Sequence, residues 1–575
     1  MLQINTGKLF SRGVGRTNAL SGVLYTNARL GWNSRLETLA GALKNVGADH
    51  QDTACLFEIE ERIEAPVNEP GVLVSHGVGP FLDDFAIVAT FGLGAIFSRR
   101  AETVRALTGS EGRRGGRDSH HTLLSGVYDE TVDVSDVQAE EFARFVEALL
   151  ALERRSFLGA MRAMRSFVSG LHRLADDPSL AYTLLVAAIE SLAQTFDDYE
   201  PRWQDLDMRK RVDLDRAIAS AATDVQEAFR AAVLKHEHLS LGRRYREFIL
   251  ARVDGGYFRQ TGLKGRPVAR WELEPALRLA YGLRSAHVHE LKRLPDVLTI
   301  GAHHNEIASV ERQPALTFEG LYRVTRHAIR AFVAEQPKIE SEPYNYQLEE
   351  AGIVSLPWAA QYWIGRPFSR PSEALPRFEG ALEILCSQLM HEPNPALFPD
   401  MRPVLAEVER LLGQAPHADR PAMVCLYILY NTQIAPAYRS PGHEAFIEAH
   451  IEEASRPGPV TLTLVPLYGE HDDDAWSLPD HQNALDAYFD QRRRANGLHA
   501  PRLVEAAMCL HLAEKYRLVG DLDSARTTIA RAVETHPGVP ALLALEARFN
   551  GEAPIDWEAV LLPPAKVSEV EGGMA

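Results

Sequence analysis

The residues that invite a chemical reading lie in Leu279–Pro295, LAYGLRSAHVHELKRLP, where Arg284 stands five positions before His289 and Ser285 and His287 fall between them. An imidazole titrates near neutrality and moves protons, whereas a guanidinium stays charged and presents a planar fork to phosphate oxygens. Ser285 lies four residues before His289, which puts both on one helix face and lets the hydroxyl orient the ring. Arg284 and His289 are separated by about 140° of helical rotation, so they do not project side by side from a straight helix. Either the helix loosens between them or the two act at a seam. The plainer reading is that Arg284 pairs with a buried acid such as Glu190 and His289 caps the helix end.

An Arg-x4-His pair by itself carries little, since about two are expected by chance in a chain of this composition. Arg494–His499 repeats the spacing beside the loop-like ANGLH. His287 is more simply a local hydrogen-bonding residue. His303 and His304 with Glu306 lack a second set of ligands at a helical spacing, and 467–476, LYGEHDDDAW, lacks the glycine and terminal glutamate of a calcium loop. Both read as solvated loops. There is no GxxxxGK[ST], no GxSxG and no GxGxxG between a strand and a helix, so nucleotide hydrolysis and serine esterase chemistry have no support. Cys55, Cys386, Cys425 and Cys509 are scattered without a CxxC pair, which excludes a disulfide scaffold or zinc ribbon and suits a reducing compartment. No metal and no cofactor are expected.

The elements that would position the motif are helical. From Ser135 the apolar residues recur with a period near 3.6, giving one long or two consecutive helices to about Leu174; Asp177-Pro178-Ser179 then caps AYTLLVAAIESLAQTF, which carries Glu190. Further helices are expected at about Thr223–Val253, Glu272–Arg293 and Thr317–Ala334, with an irregular excursion, LPDVLTIGAHHNEIASVERQPA, before the last. Residues 1–140 carry short apolar runs, among them GVLYTNARL, GVLVSHGVG and DFAIVATFGLGAIF, and alternation over Cys55–Ile63; they predict strands with a helix around Asn33–Asn45. SEGRRGGRDSHH, Ser110–His121, reads as a solvated basic loop. The fold class expected is multidomain and predominantly α: an N-terminal mixed β domain over 1–140, a helical bundle over 141–336, a polar linker over 337–370 and a helical-repeat region over 371–575.

Two resemblances follow from these residues. Taking Ala506 as the first position of a 34-residue unit, Leu512, Ala513, Tyr516, Gly520, Ala525, Ile529, Ala532 and Pro537 resemble one tetratricopeptide repeat. Over residues 151–336, RSAHVHE near the end of a bundle helix, preceded by the helix of Glu190 and followed by FEGLYRVTRHAIRAFVAE, resembles the Apea-like branch of the HEPN superfamily. That resemblance implies a metal-independent endoribonuclease acting on tRNA or another RNA. Arg284 and His289 would form the catalytic pair, Ser285 and Glu190 would support them, and Arg278, Lys292 and Arg293 would meet the RNA. It further implies a homodimer with facing motifs and a conditional toxin of antiviral, abortive-infection defence.

Charge bears on the partners. The chain carries −17 overall, yet 151–336 sums to +4 and 337–575 to −15. A polyanion is tolerated by the middle and repelled by the C-terminal region, which suits a protein trigger or regulator there instead. The start, MLQINTGKLFSRG, lacks a signal-peptide layout and Phe85–Phe97 is too short to span a bilayer, so a cytoplasmic protein without a membrane partner is expected. A reading from another class is a non-catalytic dimeric adaptor that binds a protein through its helical-repeat region.

Overall fold

The computed structural model describes residues 1–563 apart from 32–34, 50–51, 66–74, 110–119, 198–201, 207, 237–240, 261–262, 264, 301–303, 347–357, 391–397, 469–475 and 495–496. Most of Ser110–His121, His303 and most of LYGEHDDDAW thus lie outside the described residues. The chain is predominantly helical with an N-terminal β region, and divides into two compact units, Met1–Val354 and Ser355–Ala575.

The first unit begins with an antiparallel sheet in the order β3-β4-β5-β1-β6, built from β1 (Val14–Thr26), β3 (Arg35–Thr38), β4 (Gly41–Asp49), β5 (Asp52–Glu64) and β6 (Phe97–Ser98); β2 (Ala28–Arg29) pairs instead with β7 (Val132–Asp133). Leu24 faces Cys55 in the long β1–β5 register. Two expectations are corrected here. The described residues of Asn33–Asn45 are not helical: they hold β3 and the first half of β4, joined at Gly41, whose φ of +138° is open only to glycine. DFAIVATFGLGAIF belongs mainly to a helix, α1 (Gly79–Leu93), followed by α2 (Ala101–Thr108) and the single turn α3 (His120–Leu123). From Phe85 to Leu93 α1 is apolar and almost wholly covered, while Asp83 near its start stays exposed. Phe85 stacks on Phe57 of the sheet at 4.3 Å and meets Phe142 edge-on at 6.1 Å, while Phe91 packs on Phe145 and Phe167. A helix buried on every side loses the 3.6-residue period that marks a surface helix.

The bundle comprises α4 (Asp136–Leu150), α5 (Arg154–Arg173), α6 (Pro178–Phe196), α7 (Met208–Ile218), α8 (Thr223–His236), α9 (Leu241–Leu250), α10 (Arg270–Glu290), α11 (Asp296–Thr299) and α12 (Phe318–Glu335). The long apolar pattern from Ser135 is therefore two helices. α5 and α6 pack antiparallel through glycine, since a Cβ on Gly159 would sit 2.4 Å from the Phe196 ring. The excursion before α12 is not irregular throughout: β8 (Ile307–Val310) and β9 (Gln313–Leu316) form a hairpin turned at Glu311 and Arg312, both with positive φ, and β9 packs on α10.

One buried cluster runs from Leu2 to Val333, through the sheet, α1 and the bundle. The division drawn at 140/141 falls inside that core. The first part of the polar segment 337–370 is strapped to the same unit: Ile339 donates to the Ala151 carbonyl, Glu342 to that of Lys8 and Tyr344 to that of Leu9, and Tyr346 packs on Phe10. α6 is the one described helix long and apolar enough to cross a bilayer, and its Tyr182, Leu185, Val186, Ile189 and Leu192 are buried in the unit.

The second unit is helical: α13 (Ala374–Met390), α14 (Arg402–Leu411), α15 (Arg420–Gln433), α16 (His443–Ser455), α17 (Val465–Tyr468), α18 (Leu478–Arg492), α19 (Arg502–Leu518), α20 (Leu522–Thr535), α21 (Pro540–Arg548) and α22 (Trp557–Leu561). α19 and α20 are joined through Gly520 at φ +81°, and Ala506, Ala513, Ala525 and Ala532 are fully buried in this unit's core. Small side chains let the two axes approach closely.

Candidate functional site

The motif lies on α10, near its C-terminal end, and α6 supplies the facing acid. α6 is started by Asp177, whose carboxylate accepts from the Leu180 amide at 2.9 Å, with Pro178 in the first turn. α10 is started by Glu272, buried beneath the chain, which accepts from the Ala269 amide at 3.0 Å and pairs with Arg266. It then runs unbroken to Glu290 and stops where Leu291 turns left-handed at φ +52°. The helix does not loosen between Arg284 and His289.

That continuity decides where the two side chains go. Arg284 turns inward, and its Nη2 meets Oε2 of Glu190 at 2.5 Å, with side-chain exposures of 18% and 6%. Tyr281, one turn earlier on the same face, donates its hydroxyl to Oε1 of Glu190 at 3.2 Å, and the guanidinium lies 5.6 Å from its ring centre. The Tyr281 phenol is pushed up to about 12, first by burial and then by the Glu190 charge. Behind it Tyr245 of α9 is fully buried, its ring 5.8 Å from that of Tyr281, and burial with the neighbouring Tyr182 and Glu190 keeps it far from ionising. Gly242 makes this seam narrow: a Cβ there would stand 2.8 Å from the Tyr281 ring. Nε of Arg284 is buried with no hydrogen-bond acceptor. A guanidinium tied by one arm is oriented, and its charge is shared with one carboxylate.

His289 is exposed in the last turn of α10 and has no hydrogen bond to the described residues. Ser285 is half-buried and makes no hydrogen bond to it, so the i, i+4 orientation expected from spacing is not formed. His287 does bind locally, with Nδ1 3.1 Å from the Lys292 carbonyl. Of the cations expected to meet RNA, Arg278 pairs with Glu274 at 2.9 Å and Lys292 with Glu290 at 2.5 Å, both on the surface; Arg293 is exposed. The fold thus joins Arg284 to Glu190 and leaves His289, Ser285, Arg278, Lys292 and Arg293 on or near the outer surface. Tyr281 is the member that reading the sequence missed. Its signal was present, three residues before Arg284 and hence on the same helix face.

The weaker candidates are structural. Glu306 is buried and bound by Arg323 at 2.5 and 2.7 Å, while His304 is 3.7 Å from Glu319. His499 donates through Nε2 to the Arg494 carbonyl, 3.2 Å away. Among the described residues no three His, Cys, Asp or Glu side chains converge as a metal site would require. Compared with protein families, curated proteins and solved structures, the chain matches none.

Proposed function

We propose that the chain is a metal-independent endoribonuclease of the HEPN type, assembled as a homodimer and acting in the cytoplasm as a conditional toxin of antiviral defence. The observation that carries this reading is a single unbroken helix that holds an oriented arginine, Arg284, and an unengaged histidine, His289, at its open end. Cleavage without a metal requires a group that moves protons to or from the 2′-OH and the leaving 5′-oxygen, and a fixed cation for the charge on the phosphorane. His289 takes the first role and Arg284 the second, with Glu190 and Tyr281 fixing the guanidinium.

The separation of the two residues along α10 supports the dimeric reading. About 140° of rotation and roughly 7.5 Å of rise separate the two residues on one helix. The exposed side of α10 carries Trp271, Arg278, Gly282 and His289, and two such faces brought together place the two His289 side chains at one seam, with each Arg284 behind it. The acidic second unit, resembling one tetratricopeptide repeat at α19–α20, is assigned to a protein trigger or regulator.

One observation favours the adaptor reading instead: Glu190 already neutralises Arg284. End-mapping of total RNA after induced expression of the wild type and His289→Ala separates the two. The nuclease reading expects new ends bearing 2′,3′-cyclic phosphate and 5′-OH, formed in EDTA, blocked by a 2′-deoxy nucleotide at the cut and absent in the variant. An adaptor yields no new ends from either protein.

A further inference from the structure

α12 presents Arg323, Arg326 and Arg330 at spacings of three and four, on one face of the helix. Arg144 and Phe145 of α4 stand across from them, and the segment around Gly256–Gln260 closes the end with Arg259. These elements line an open cavity of about 1080 Å³, to which neither Glu190 nor Arg284 contributes. Five arginines line it against one carboxylate, Glu141.

The five differ in how their charge is met. Arg323 is neutralised by the buried Glu306. Arg326 donates Nε and Nη2 to the carbonyls of Phe91 and Gly92, at 2.8 and 2.5 Å, which satisfies carbonyl acceptors at the C-terminal end of α1 but meets the arginine with no full negative charge. Among the described residues Arg259 donates only to the Gly255 carbonyl. Arg144 and Arg330 have neither an ion pair nor a hydrogen bond among the described residues, although Arg330 is half-buried beside the Phe145 ring at 5.5 Å. Burial, and then the like charge of Arg326, pull Arg330 down to about 10, and the Glu141 carboxylate only partly offsets this. The fold therefore holds a recessed cation, still charged at neutral pH, that its own carboxylates leave unneutralised. Such a group is stabilised by whatever anion occupies the space beside it.

We propose that this cavity binds a phosphorylated small molecule, with a di- or triphosphate held by Arg144, Arg259 and Arg330 and its organic part against Phe145, Ala148 and Val333. Several guanidinium forks converging on one space match the many acceptor oxygens of a polyphosphate better than a single carboxylate. The volume is ample for a nucleotide, and apolar wall residues beside the arginines suit a ligand that joins an organic part to its phosphates. The assignment is independent of the nuclease reading.

The test is calorimetric titration of the full chain with ATP, inorganic pyrophosphate, adenosine and a 12-nucleotide RNA, each against wild type, Arg330→Met and Arg144→Ala. ATP is expected to bind, adenosine not, and each substitution to weaken ATP by about tenfold or more through loss of a charge-assisted fork. Pyrophosphate binding as tightly as ATP identifies a free polyphosphate as the ligand; weaker pyrophosphate identifies a nucleotide, and both outcomes support the site. Folding is checked by the melting temperature of unliganded Arg330→Met, expected at or above wild type because a repelled, half-buried charge is removed. No binding of ATP or pyrophosphate at millimolar concentration overturns the proposal. So does ATP binding unchanged in both variants, or RNA held through these arginines in place of ATP.

Discussion

Glu190 on α6 and Arg284 on α10, 94 positions apart, meet through a 2.5 Å contact in which both side chains are largely withdrawn from water. The pair joins two helices that pack on each other, and Tyr281 shares the same carboxylate. Removing the acid leaves Arg284 uncompensated, so Glu190→Ala is expected to destabilise the protein by about 2–4 kcal/mol, whereas Glu190→Gln, which still accepts from Tyr281, costs less. Urea unfolding followed by circular dichroism checks this; a wild-type midpoint for Glu190→Ala would show the pair to be solvated.

His289 offers the opposite profile. It is exposed and unbonded, so His289→Ala should shift stability by no more than about 0.5 kcal/mol. On the nuclease reading it abolishes cleavage all the same, whereas Ser285→Ala, lacking any bond to the ring, leaves most of it. Parallel melting curves and RNA cleavage assays read both. A large loss of stability in His289→Ala would mean that the residue is a structural cap.

Gly282 tests the seam. It is exposed on α10, and a Cβ there would meet nothing within 4 Å. Gly282→Lys should therefore stabilise the helix by about 0.5–1 kcal/mol while its bulk keeps two α10 faces apart. Light scattering at micromolar concentration is expected to give a dimer for wild type and a monomer for the variant. A monomeric wild type removes the composite cleft.

Acid sensitivity follows from His172 on α5. Burial, and then the adjacent Arg173, lower its pKa below the ordinary value of 6.5, and its Nε2 is buried without a partner. The unfolded chain thus binds the proton more readily, so this contribution to stability is full above pH 6.5 and falls as the pH drops through and below that value. His536 in the second unit is lowered in the same direction, by burial and then Arg502. Melting temperature is expected to fall between pH 7.5 and 5.5, and His172→Phe with His536→Phe should flatten the dependence. An unchanged slope in the double variant would assign it to other groups.

The sequence by itself determined the helices that keep one face in water. The period from Ser135, the Asp177-Pro178 start of α6 and the apolar spacing of α12 all survive as read, because solvent on one side imposes a 3.6-residue repeat. The same signal failed for α1. With the sheet on one side and α4 and α5 on the other, almost no face from Phe85 onward needed to be polar, and its apolar run resembled a buried strand. Asn33–Asn45 failed for the converse reason: the β3–β4 hairpin turns at Gly41, where backbone freedom and not apolar spacing sets the structure. Arg284 and Glu190 were both visible as candidates, and a pairing between them was open on paper. The tertiary fold decided that Arg284 turns inward, that His289 faces out and that Tyr281 joins them. It alone gathered Arg144, Arg259 and Arg330, from three separate stretches of chain, around one cavity. Local spacing is written along the chain, whereas which charges finish unneutralised depends on the packing of elements that are distant in sequence.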